Sequence, residues 1–229
     1  ESVRLAGFTN PGIFIRKGEP YGVIWTSLYK RNDEGDLLLD DNGYPQAGSV
    51  GNAGSVTPDW TGGLSTSFNY KGFEISAVMD IRVGGNIFNL DENYTTFYGT
   101  SIKTKDREKE IILKGIKESD GTPNTTPIKK DFTYYNGYVE LEEFVQKADF
   151  LKLRNVTLSY TLPSSALKAL KLSNAKISLS GRNLWIDKDD SFTGSDPELS
   201  LYGSGNGQGI TNFQIPSNKS YTLTFNLTF

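Results

Sequence analysis

Period-two alternation of apolar and polar residues is the dominant pattern along the chain. In the last segment Tyr221, Leu223, Phe225, Leu227 and Phe229 alternate with Thr222, Thr224, Asn226 and Thr228. Successive side chains of a strand point to opposite faces, so one face is wholly apolar and the other wholly polar. A second pair of runs lies upstream: Leu64, Thr66, Phe68 and Tyr70 alternate with Ser65, Ser67 and Asn69, and Phe73, Ile75, Ala77, Met79 and Ile81 follow Lys71-Gly72. The apolar parity switches across those two turn residues, as a β-hairpin requires if both apolar sets are to share a face.

Asp149 to Thr161 predicts another strand. Leu151 and Leu153 are out of phase with Val156, Leu158 and Tyr160, which predicts a bulge near Arg154-Asn155. Pro163 ends it, Ser164 reads as the N-cap of a short helix through Leu170, and a further strand is expected over about Ala175 to Ile186. Between the strands lie two long polar stretches, 84–148 and 187–216, expected to be loops. The strands run about nine to twelve residues, against about 5 to 6 for the average globular strand and about 9 to 11 for a membrane-crossing one. A transmembrane barrel and a soluble β-sandwich both remain open on pattern alone.

Composition narrows the chemistry. The chain has 229 residues, 36% hydrophobic and 12% aromatic, with 24 glycines, a mix suited to many strands and Gly-rich turns. The net charge of −3 carries no basic footprint for nucleic acid, since Lys103, Lys105, Arg107 and Lys109 alternate with acids. There is no Cys and no His, which removes disulfides, thiolate metal sites, the usual general base and every Ser/His or Cys/His pair. Carboxylate chemistry is left, but Glu142-Glu143 and Asp189-Asp190 are sequence neighbours that would point to opposite faces of a strand, so no glycosidase pair is assigned. Asp33, Glu34, Asp36, Asp40 and Asp41 have oxygens suited to Ca²⁺, without the spacing of an EF-hand; solvated turns are the reading, and no metal or cofactor is assigned. No run reaches the roughly 18 apolar residues of a membrane helix. The chain starts without Met or a signal peptide, as if cut from something larger.

The motifs now resemble a known family. Asp149 to Pro163 (DFLKLRNVTLSYTLP) is similar to the F-L-[RK]-L-[RK]-N-[IV]-T-L-[GS]-Y segment near the end of SusC/RagA-type TonB-dependent receptors. Leu179 to Trp185 (LSGRNLW) resembles that family's V-S-G-Q-N-L-F strand, Gly194 to Glu198 its G-x-D-P-E loop, and Ile215 to Phe229 its closing strand. Lys17 to Gly22, Pro58 to Leu64 and Tyr70 to Ser76 match earlier blocks in the same order.

The resemblance implies an all-β fold: residues 1–229 as the C-terminal strands of a large antiparallel transmembrane β-barrel of about 22 strands with long extracellular loops. At least five strands, and up to seven, would come from this chain. The plug domain and the earlier strands would lie outside it. The implied function is active nutrient import across the outer membrane of a Gram-negative, Bacteroidetes-like cell, without enzymatic chemistry. The implied partners are a SusD-like surface lipoprotein, the TonB complex through the missing N-terminal part, the rest of the barrel, lipid, and a glycan or peptide cargo. Phe229 would be the barrel-insertion signal, and the loop aromatics Tyr94, Phe97, Tyr98 and Tyr202 would be candidates for touching cargo. A soluble β-sandwich ligand-binding module is the alternative.

Overall fold

The computed structural model describes residues 1–203 and 205–229. The chain divides into two compact units, each built from three separate stretches: 1–58, 85–148 and 190–214 form one, and 59–84, 149–189 and 215–229 the other.

The second unit is a five-stranded sheet made of the long alternating segments. Its strands are Trp60–Tyr70, Phe73–Val83, Phe150–Thr161, Asn174–Lys188 and Ser220–Thr228. All neighbours are antiparallel, and spatial order follows chain order. Register places the apolar residues in rows that cross every strand. Phe68 faces Ile75, Ile75 faces Leu158, Leu158 faces Leu179 and Leu179 faces Leu223. One pair further along, Tyr70, Phe73, Tyr160, Ile177 and Phe225 form the next row. The polar rows fall between, as in Ser67, Ser76, Thr157, Ser180 and Thr222.

The expected bulge is present. Arg154 is skipped between Leu153 and Asn155 in pairing with both neighbouring strands, so Leu151 and Leu153 share a face with Val156 and Leu158 despite their opposite parity. Lys71 and Gly72 both have positive φ, 46° and 84°, the conformation of the tight hairpin turn that matches strand twist. The short helix is Ser164–Leu170, but Ser164 is its first turn residue and not its cap. Pro163 occupies the cap position in extended conformation, and its carbonyl accepts the Leu167 N–H.

Exposure on this sheet is inverted relative to a water-soluble one. Leu158 is 48% exposed while its sequence neighbour Ser159 is 3% exposed. Leu64, Phe68, Leu179, Leu223, Phe225 and Leu227 are likewise exposed. The polar face satisfies itself: Ser159 and Ser178 share a hydrogen bond at 2.8 Å, Thr157 and Ser180 one at 2.9 Å, and Lys176 pairs with Glu74 at 2.6 Å. The bulged Arg154 pairs with Asp80 at 2.6 Å. A sandwich would bury its apolar face against a second sheet; this face is uncovered.

The first unit corrects the expectation that 84–148 and 187–216 are loops. Both stretches fold, together with residues 1–58, around a core of Ala6, Ile13, Ile24, Phe88, Leu90, Phe144 and Ile210. A four-stranded antiparallel sheet holds Ser2–Gly7, Gly12–Arg16, Val23–Tyr29 and Ala47–Ser55 in order. A three-stranded sheet places Asn86–Asn89 between Val145–Lys147 and Ile210–Thr211. Helices Leu90–Phe97 and Phe132–Gly137 and two small two-stranded sheets, Leu38–Leu39 with Ile116–Lys117 and Glu110–Ile112 with Pro127–Lys129, also belong to it. These elements are too short to show a period in sequence, and their core comes from residues far apart in the chain. Among the described residues no helix is long and apolar enough to cross a membrane.

Candidate functional site

The site that positions the candidate aromatics lies in the first unit, at the helix Leu90–Phe97. Asn89 caps this helix, its side chain accepting the Glu92 N–H at 3.0 Å. The same buried side chain donates to Gln146 at 2.9 Å and Thr193 at 3.1 Å, and accepts from Thr211 at 3.2 Å. Glu92, also buried, accepts from the hydroxyls of Ser101 at 2.5 Å, Thr193 at 2.8 Å and Thr96 at 3.3 Å. Buried polar groups need such partners, and this network ties the helix to the stretches around 146, 193 and 211.

With the helix fixed, Tyr94 and Tyr98 project on one side. They line a cavity of about 450 Å³ with Thr95, Thr100 and Phe213. The Tyr94 and Phe213 rings lie nearly parallel, 12° apart in plane with centroids 6.2 Å apart. Phe213 has φ of +49°, a left-handed conformation rare for a bulky residue. Its N–H donates to the Asp91 carboxylate at 2.5 Å, and the Asn212 N–H donates to Gln214 at 2.7 Å. Burial raises the Asp91 carboxyl above its ordinary range, against the lowering effect of the Phe213 N–H.

A second cavity, of about 380 Å³, shares Thr95 and Phe213 with the first. It is lined by Asn89, Asp91, Glu92, Thr193, Gly194, Ser195 and Gln214. The two adjoin at Thr95 and Phe213, one lined mainly by aromatic and the other mainly by polar side chains, and together are termed a two-part cleft. Of the four loop aromatics singled out in sequence, Tyr94 and Tyr98 line it. Phe97 packs edge-on against Tyr98 at 5.1 Å without lining it, and Tyr202 lies elsewhere, beside Gly207. Sequence reading missed Phe213 and Asp91.

Glu142 and Glu143 lie on a 3-10 turn, Leu141–Phe144, rather than in the strand assumed from sequence. Glu142 accepts from Arg31 at 2.9 Å. With Glu143, Asp190, Lys103 and Tyr29 they line a separate cavity of about 550 Å³. The acidic turns at 32–44 are held by their own side chains: Asn32 accepts the Asp36 N–H, and Asp40 those of Asn42 and Tyr44. No group of three His, Cys, Asp or Glu suited to a metal occurs among the described residues.

Tyr29 and Tyr134 are held neutral. Burial raises the phenol pKa of each far above the ordinary value, with the nearby Glu143 charge adding to it. In the unfolded chain tyrosine ionises near pH 10. The folded state therefore keeps protons that the unfolded state releases, and stability falls as pH rises beyond about 10. Alkaline titration followed by tyrosinate absorbance is expected to show these two phenols ionising only as the unit unfolds. Their ionisation in step with exposed tyrosines would contradict the burial.

Comparison with known proteins places this geometry. No family model matches the chain. It is 25% identical to TonB-dependent receptor P3 of Formosa agariphila over 97% of its own length. It is 26% identical to TonB-dependent receptor P26 of the same organism over 92%. It covers 22% and 20% of those two proteins, about a fifth of the length of the curated relatives it matches. Among solved structures, the fold is shared with the RagAB peptide importer in its closed-closed state, with a TM-score of 0.63 at 23% identity, covering 97% of this chain and 24% of that one. A structure of the RagAB peptide transporter gives 0.61 at 23% identity, covering 98% and 24%.

Proposed function

From a chain similar to TonB-dependent receptors over nearly its whole length, we propose that the five-stranded sheet is part of a closed outer-membrane barrel of about 22 strands in an active nutrient importer. The observation that carries this is the inverted sheet: five long strands expose a continuous apolar face, while polar residues of the middle strands hydrogen-bond to one another on the other face, with Ser159 and Ser178 buried. In a bilayer the apolar face meets lipid and the polar face lines the lumen. Strands can cross a membrane only in a sheet without free edges, because lipid offers no hydrogen bonds. Trp60–Tyr70 and Ser220–Thr228 are the two edges here, so barrel strands outside this chain pair with them.

The hairpin turn at Lys71-Gly72 and the short connection 162–173 then face the periplasm, and the opposite strand ends, from which 85–148 and 190–214 depart, face outward. The first unit offers the Tyr94–Phe213 cleft to cargo, a glycan or a peptide, with a SusD-like lipoprotein as its lid. TonB acts through parts of the protein beyond this chain. Phe229, at the end of the closing strand and 88% exposed, serves as the signal read by the barrel-assembly machinery. Nothing in this reading asks the chain for covalent chemistry.

The test is fractionation of the native cell, with outer-membrane proteins run on a gel boiled and unboiled and bands identified by peptide mass. Peptides of this chain are expected in a heat-modifiable outer-membrane species. Recovery only in the soluble fraction, as an independent protein, would overturn the barrel.

A further inference from the structure

We propose that the two-part cleft at Phe213 is a subsite for an uncharged sugar ring, and that Asp91 turns anionic sugars away from it. The inference rests on the importer reading above and names the cargo chemistry of its cleft.

The aromatic part presents Tyr94, Tyr98 and Phe213 around one cavity. Phe213 is 62% exposed, so its ring is not held outward by burial. It is held by its backbone: the left-handed φ and the hydrogen bond to Asp91 aim it into the cleft. A strained residue persists only where its surroundings over-determine it, and such residues concentrate at ligand sites.

The polar part decides the ligand class. Glu92 is engaged by three hydroxyls, and both ends of the Asn89 amide are engaged by protein. Three groups remain to meet a ligand: the second carboxylate oxygen of Asp91, the Gln214 amide nitrogen and the Ser195 hydroxyl, none with a protein partner among the described residues. They comprise an acceptor, a donor and a group that is both. A sugar ring matches this set. Its C–H face lies on an aromatic ring, and its neighbouring hydroxyls both donate and accept.

No Lys or Arg lines either cavity. A sulfate or carboxylate on the sugar would meet the partly buried Asp91 without a counter-ion, and like charges at close range repel. The terminal carboxylate of a short peptide meets the same obstacle.

The experiment uses the protein purified in detergent from its native outer membrane, with variants made in the chromosomal gene. It is applied to a printed array of neutral, carboxylated and sulfated oligosaccharides, with a mixed tetrapeptide library in parallel. Binding is expected on neutral oligosaccharides alone. Phe213→Ala is expected to weaken it about tenfold, the scale of one lost aromatic contact. Asp91→Asn keeps an acceptor for the Phe213 N–H, so it is expected to retain neutral ligands and to admit anionic ones. Anionic sugars bound as well as neutral ones, peptides bound in their place, no oligosaccharide bound at all, or Phe213→Ala without effect would each overturn the proposal. If the protein is still a heat-modifiable outer-membrane species, such a result leaves the importer reading standing. Absence from that membrane removes the importer reading itself.

Discussion

Leu158→Arg is expected to keep the sheet out of the membrane. Leu158 lies on the middle strand, between Ile75 on one side and Leu179 on the other, in an apolar row that spans all five strands. On the lipid face of a barrel an Arg near the bilayer midplane costs about 2–4 kcal/mol. In water the same change at a half-exposed position would fall within about 0.5 kcal/mol. The two readings of the sheet therefore differ by more than the error of the measurement. Heat-modifiable protein in the outer membrane, and unfolding in lipid vesicles, report the difference. Leu158→Phe, which stays apolar, is the control and should assemble. Normal assembly of the Arg variant would mean that the apolar rows do not meet lipid.

The second large effect is expected from Asn89→Ala. Loss of the helix cap alone costs about 1 kcal/mol. The change also strips hydrogen bonds from Gln146, Thr193 and Thr211, which lie in or beside the buried network. Each buried group left unsatisfied adds about 1–3 kcal/mol; Gln146 keeps two bonds with Thr193, accepting its N–H at 3.1 Å and donating to its hydroxyl at 3.3 Å, so the Thr211 hydroxyl is the group left without its partner. The sum is about 2–4 kcal/mol, localised to the first unit. Limited proteolysis should show it as new cuts within 85–148 or 190–214, while the five strands stay protected. Resistance equal to that of the unaltered protein would mean that the network contributes little.

The sheet was legible because each long strand carries its own evidence. Nine or more alternating residues cannot be confused with a helix, and the parity switch across Lys71-Gly72 and the phase slip at Arg154 follow from the same count of two. The cap at Ser164 was misplaced because Pro163, one residue earlier, already supplies the extended backbone a cap needs. The first unit was not legible. Its strands are as short as two residues, and its core joins Ile13, Phe88 and Ile210. The candidate site shows the same division. Tyr94 and Tyr98 stood out as aromatics in a polar stretch. Phe213 gave no such signal, because what makes it part of the cleft is the hydrogen bond its N–H donates to Asp91, 122 positions away.

The stretch 85–148 leaves and rejoins the sheet at adjacent points. Gly84 follows one strand and Asp149 precedes its neighbour, and the Gly84 N–H donates to the Asp149 carboxylate at 2.6 Å. Beyond them the Ala148 N–H donates to the Gly85 carbonyl at 3.0 Å. The insertion thus closes on a hydrogen-bonded neck, and its own length weighs little on that closure, since doubling a loop costs only about 0.6 kcal/mol. The consequence is modular. Because 85–148 shares its core with 1–58 and 190–214, the first unit can change only as a whole, while Phe73–Val83 and Phe150–Thr161 keep their register. On the importer reading proposed above, a lineage with this architecture can change its cargo while the strands that cross the membrane keep their pairing.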